Sequence, residues 1–148
     1  MFAVDETSMD LRPQPVLTET EKGAVRRLAL AHADTEACCL DEEAGRTAGY
    51  RSRRAPPTFA GTLGRNPPFC RMIPRAGTIH DLRPVVHGAP IVAHAHISVR
   101  RWLKHPRVRS GSWDRMTLVT GPTEGANHDE MTAVRARTGP IVTNEAPR

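Results

Sequence analysis

Aromatic side chains, lysines and long apolar runs are scarce in this chain, and each scarcity removes a class of protein. Aromatics make up 4% of the 148 residues. Proteins that hold nucleic acid usually combine a basic stripe with aromatic faces on which bases stack. A net charge of +5 is therefore not read here as a nucleic-acid footprint. Lys22 and Lys104 are the only lysines among 21 basic residues, the rest being arginine. That skew, with abundant Ala and Gly, fits a genome rich in G and C as well as a selected surface. The positive charges are scattered, apart from Arg51, Arg53, Arg54 and the region from Arg100 to Arg109. No stretch approaches the roughly 18 apolar residues of a membrane helix. Near the start, Asp5, Glu6 and Asp10 stand without a basic region or apolar core, so no signal peptide is visible and a cytoplasmic protein is expected. The three cysteines, Cys38, Cys39 and Cys70, give neither a disulfide framework nor a Cys-x-x-Cys zinc pair, and are read as reduced thiols.

The length suits one domain with a real core. Residues 1–16 mix acids and prolines without periodicity and read as an extended or flexible lead-in to a single domain over 17–148. Thr18 and Glu21 have capping-box spacing, and Val25, Leu28, Ala29 and His32 follow at helical intervals, which predicts a helix over 19–33. Asp41 reads as the cap of a short second helix, with Glu42 and Glu43 in its first turn and Gly49 as its stop. Pro56-Pro57 suits a turn that delivers the chain into a helix near Thr58–Leu63, cut short by Pro67 and Pro68. Residues 64–85 look irregular. Strands are then expected around Ile91, Val92, Ile97 and Val99, at Met116–Thr120, and at Met131–Val134 and Ile141–Thr143. Helices first and strands afterwards predict an α+β domain with a mainly antiparallel sheet.

The order of several short motifs carries a family resemblance. A helix is followed by Ala33-Asp34-Thr35-Glu36, Leu40-Asp41-Glu42-Glu43-Ala44, Ala48-Gly49-Tyr50 and Ala55-Pro56-Pro57-Thr58-Phe59. This set resembles the amino-terminal domain of MaoC-like dehydratases. Val86-His87-Gly88 is similar to the Leu-His-Gly that opens the family's second strand, and Arg115-Met116-Thr117 to a later strand. The likeness covers residues 17–60 well and 85–120 loosely. It implies a hot-dog fold, an antiparallel sheet wrapped around a central helix, working in pairs on an acyl thioester of coenzyme A or a carrier protein. The implied chemistry is reversible hydration of an enoyl thioester, with a carboxylate and a histidine activating water and backbone N–H groups polarising the carbonyl. Residues implied in the site are Asp34 as the catalytic carboxylate, with Cys39, Pro57, Thr58 and Phe59 against the substrate. No cofactor or metal is implied. A basic rim for phosphorylated carriers or coenzyme A accounts for the net charge as well as nucleic acid does.

The chain departs from the family where the chemistry is done. The active loop reads Asp-x-Asn-Pro-x-His; here Glu36 and Ala37 replace Asn-Pro, and Cys39 stands in the histidine's place. A thiol does not replace imidazole as a base for water near neutral pH without a strongly perturbed pKa. The expectation is a subunit of an enoyl-thioester hydratase, or 3-hydroxyacyl-thioester dehydratase, that shapes the acyl channel and depends on a catalytic MaoC-like partner. The partner expected is a second MaoC-like subunit or, in a homodimer, a second copy of the chain. A non-enzymatic hot dog binding acyl-CoA or a protein partner is the second reading, and an acyl-CoA thioesterase using Asp34 the third. Asp34 also reads as a loop carboxylate bonding its own backbone, and Cys39 as a small buried hydrophobe. His94 and His96 alternate as they would on one face of a strand, near His87, without a carboxylate or cysteine at ligand spacing. Trp102 and Trp113 read as packing residues at strand ends.

Overall fold

In the computed structural model the chain is described over residues 9–63, 78–111 and 114–143. Its first strand, β1 (Val16–Glu19), precedes helix α1 (Lys22–Ala31). Two short helices follow, α2 (Ala37–Leu40) and α3 (Glu42–Thr47), and then a 3-10 helix at Pro57–Thr62. The remainder is strand: β2 (Thr78–His87), β3 (His96–Arg101), β4 (Arg107–Gly111), β5 (Asp114–Leu118), β6 (Gly121–Ala126) and β7 (Thr132–Thr143).

All seven strands belong to one antiparallel sheet in the order β1-β3-β6-β7-β5-β4, with β2 also on β7. The long β7 organises it. Residues 132–138 of β7 pair with β6, residues 141–143 pair with β5, and β2 runs antiparallel along residues 134–142. In β3 the side chains alternate, Ile97 and Val99 inward and His96 outward, as a pleated strand with one covered face requires. Against that face pack Val25 of α1 and Phe59, Ala60 and Leu63 at the 3-10 helix, joined by Ile91 and Val134. A smaller cluster, Ala29 with Cys38 and Cys39, lies between α1 and α2 beneath Leu40 and Tyr50. Ahead of β1, Met9 is buried and the Asp10 N–H donates to the Leu103 carbonyl at 2.7 Å.

Several expectations from the sequence are corrected. Thr18 does not cap α1; it lies in β1 opposite Ile97, and α1 starts after Glu21 without a side-chain cap. Thr is a good strand residue, and a sheet partner outcompetes a single capping bond. Residues 78–85 are not irregular but form most of β2, whose ladder to β7 shifts register between Leu82 and Val85. His87 closes that strand instead of opening one. His94 is not a strand residue: it sits in the turn before β3 at φ 65°. The two last expected strands are one continuous β7. The local signals at Asp41, Gly49 and Pro56-Pro57 are found where they were expected. Pro67, Pro68, Cys70 and Trp113 lie outside the described residues.

Candidate functional site

The loop that carries the family resemblance is built by short-range bonds. At the end of α1 the chain turns through Ala33 at φ 50°, and the Asp34 N–H returns to the Ala29 carbonyl at 2.9 Å. Asp34 Oδ1 accepts the Glu36 N–H at 3.0 Å, a local turn that uses one carboxylate oxygen. Helix α2 then carries Cys38 and Cys39 inward under α1. His32, the histidine nearest in sequence, donates from Nδ1 back to the Leu28 carbonyl at 3.0 Å.

Cys39 is 0% exposed. Burial pushes its thiol above the ordinary 9.0, the neighbouring Cys38 and Asp34 push the same way, and the Arg54 guanidinium opposes them. Arg54 Nη2 donates to Cys39 Sγ at 4.0 Å, and the same guanidinium lies 5.7 Å from the centre of the Tyr50 ring. A raised thiol pKa and full burial favour the protonated form near neutral pH, and a protonated thiol is a poor base for water. Of the other residues the resemblance singles out, Pro57 and Thr58 are exposed, while Phe59 is 5% exposed and belongs to the main core. Cys39 and Phe59 thus sit in different apolar clusters.

Helix α3 is held by charge at its start. Asp41 Oδ2 accepts the Ala44 N–H at 2.8 Å, and that bond holds the carboxyl below its usual range. Glu42 is paired with Lys22 of α1 and with Arg46 one turn on, the hydrogen bond from Lys22 contributing most to lowering its pKa. The chain leaves α3 through Gly49 at φ 89°, a backbone state glycine adopts without a Cβ penalty. It then doubles back so closely that a Cβ on Gly45 would stand 2.7 Å from the Ser52 carbonyl oxygen. Residues 53–55 next run beside 91–93: Ala55 N–H donates to Ile91 O and Ala93 N–H to Arg53 O, both at 2.8 Å.

This doubling back opens a cleft of about 560 Å³ on the far side of Tyr50, between α3, the segment leading to β3 and the turn before β7. Tyr50, Arg51 and Ser52 contribute one wall, His94 and His96 another, and His128 with Met131 a third. His94 is fixed in its left-handed conformation by an N–H bond to the Thr20 carbonyl at 2.7 Å, and Thr20 returns a bond to the Ala95 carbonyl. Such a conformation is uncommon for a residue with a side chain, though His tolerates it better than most. The turn sets His94 and His96 on one cleft although they do not alternate along a strand. Arg51, Ser52, His128 and Met131 carried no motif in the sequence; only the cluster of basic residues at 51–54 pointed here. Among the described residues, no three His, Cys, Asp or Glu side chains converge as metal ligands.

A family profile of the FAS1-like dehydratase domain region matches residues 9–135, well over half of the chain. The chain belongs to this family. Among curated proteins none matches it in sequence. Solved structures share its fold at low identity. The HadBC complex, a 3R-hydroxyacyl-ACP dehydratase from Mycobacterium tuberculosis, is 21% identical over 88% of this chain and 92% of its own, with a TM-score of 0.72. The ChsH1-ChsH2 complex of the same organism is 13% identical over 93% and 99%, with a TM-score of 0.68. A MaoC-like dehydratase from Rhodospirillum rubrum is 18% identical over 99% of both chains, with a TM-score of 0.62. This is a MaoC-like hot-dog domain, of mixed α and antiparallel β structure. The neighbours HadBC and ChsH1-ChsH2 are complexes of two named components. Among the described residues no helix is long and apolar enough to cross a membrane.

Proposed function

We propose that residues 17–148 act as one MaoC-like subunit of a heteromeric enoyl-thioester hydratase, or 3-hydroxyacyl-thioester dehydratase, with 1–16 as its lead-in and the cytoplasm as its setting. In this reading the chain shapes the acyl channel and a second MaoC-like subunit supplies the water-activating pair. The observation that carries it is the state of Cys39: where the family loop places a histidine, this chain has a fully buried thiol raised above its free pKa. The loop keeps a carboxylate at Asp34 but has no base beside it. Asp34 then serves as a structural or orienting carboxylate, and Cys39, Pro57, Thr58 and Phe59 set the shape of the acyl end. The family match and two heteromeric structural neighbours support a partner subunit.

The chemistry asked of the pair is addition of water across a carbon–carbon double bond conjugated to a thioester. A base on the partner takes a proton from water as the oxygen attacks the β carbon, and the developing enolate oxygen needs backbone N–H donors. The test is co-expression with a MaoC subunit that contains Asp-x-Asn-Pro-x-His, followed by enoyl-CoA hydration assays on the purified pair and on each chain alone. Turnover is expected from the pair and none from this chain alone. A pair that hydrates no enoyl-CoA of any chain length would overturn the reading. The buried thiol equally favours a second reading, a non-enzymatic hot dog that holds an acyl group. Acyl-CoA binding without turnover, in the pair and alone, would select it.

A further inference from the structure

We propose that the cleft between α3 and the turn before β3 binds a small phosphate ester, with the phosphate at Arg51, His94 and His96 and the uncharged body on the floor beside Tyr50. Three independent features lead there. The first is charge left over after internal pairing. Of the cleft's two carboxylates, Glu42 is paired with Lys22 and Arg46, and Asp129 lies 3.3 Å from the imidazole of His128, an ion pair when that ring is protonated. Arg51 is exposed and has no ion pair among the described residues, and the imidazoles of His94 and His96 are exposed beside the same space. A guanidinium on one wall and two imidazoles on another offer, between them, donors for the several acceptor oxygens of a phosphate.

The second feature is an orphaned donor. Ser52 is 6% exposed, lines the cleft, and its Oγ is buried with no hydrogen-bond partner among the described residues. Buried hydroxyls are almost always paired, and rotation of the Ser52 side chain toward the cleft would give this one a polar ligand atom that its packed position lacks. The third is size and floor. About 560 Å³ is far more than a bare anion fills and lies within the range of small-molecule sites. Val92, Ala93 and Ala95 give an apolar floor, and Met131, 52% exposed, is an apolar side chain left at its edge. A ligand with one charged end and an apolar or planar body covers all of these.

Two sources carry this chemistry: a free nucleotide, and the phosphate-bearing arm of a thioester carrier. The second source rests on the function proposed above; the first does not. The probes are AMP, phosphopantetheine and inorganic phosphate, titrated by calorimetry into the whole chain and into R51Q, H96Q and R107Q, each checked for native circular dichroism. At least one ester is expected to bind at millimolar or lower concentration. R51Q should weaken it about tenfold, the size of one lost charge-assisted bond, and H96Q by less. R107Q, on β4 away from the cleft, should leave it unchanged. Preference for AMP would assign the free nucleotide, and preference for phosphopantetheine the carrier arm. The proposal is overturned if neither ester binds, if inorganic phosphate binds as tightly as both, or if R51Q and R107Q weaken binding alike. Loss of hydration by the co-expressed pair would sink the thioester reading and leave AMP binding standing.

Discussion

Tyr50 separates two environments of opposite character. On one side the loop from Asp34 to Cys39 is closed: its carboxylate bonds its own backbone, and its cysteines pack against Ala29 with Arg54 laid over the ring. On the other side an open cleft is lined by Arg51, His94 and His96 together with Ser52, whose hydroxyl is buried and unpaired among the described residues. The resemblance assigns the family's chemistry to the closed side, which in this chain is filled by packed side chains. The contrast teaches that a family scaffold and a family active site are separable. Backbone turns are held by local bonds, whereas a catalytic pair depends on the identity of single side chains.

The most severe way to break the contrast is to remove what supports both sides. Phe59→Ala empties the main core under the 3-10 helix, and unfolding in urea should show a loss of about 3–5 kcal/mol. Gly45→Ala acts on the hinge between the sides, because its Cβ meets the Ser52 carbonyl. Overpacking of this kind costs about 1–3 kcal/mol, and it should weaken ester binding together with stability. Cys39→His tests whether the closed side can be reopened. The larger polar ring enters a fully buried site, so a loss of about 1–3 kcal/mol is expected, without enoyl-CoA hydration by the chain alone. Hydration by that variant alone would mean the loop lacks only its base.

Smaller effects sharpen the contrast by pH. The Cys39 pKa is raised in the folded state, so the thiol's contribution to stability is complete below 9.0 and is lost as the pH climbs past that value toward the folded pKa. In a C38S/C70S variant, a disulfide reagent should label Cys39 slowly in the native protein at pH 8 and rapidly once urea unfolds it. Equal rates in the two states would place the thiol outside the core. Asp41 has the opposite sign. Its folded pKa is lowered, so its contribution is present above 3.8 and disappears as acid protonates the carboxylate below that point. Asp41→Ala should lower the melting temperature modestly near neutral pH, and the gap from the unaltered chain should close as the pH falls below the folded pKa.

The elements that were legible before the structure share one property: their signal is local. Asp41 caps Ala44 three residues on, Gly49 takes the left-handed turn itself, and Pro56-Pro57 starts its own 3-10 helix. Thr18 shows the limit of such reading, since Ile97, far along the chain, claims it for a strand. The same limit hid β6, whose Gly-Pro-Thr-Glu-Gly-Ala sequence has weak strand propensity. It is extended because β3 and β7 flank it and satisfy its backbone on both edges. Likewise β2 carries a proline and a register shift, and it holds its place by running along β7.

The order of motifs from Asp34 to Phe59 was enough to name the family, and the missing histidine enough to doubt a self-sufficient site, because both are properties of residue identity at fixed spacing. Whether Cys39 is reactive or inert was not, since that depends on what covers it. The cleft depended on tertiary structure still more. Its walls come from residues 42–52, 89–96 and 127–131, and nothing local says that these three stretches meet. They meet because Gly45 lets the chain fold back onto α3, the strand-like pairing of 53–55 with 91–93 ties that return to the sheet, and a left-handed turn at His94 points the chain back into β3.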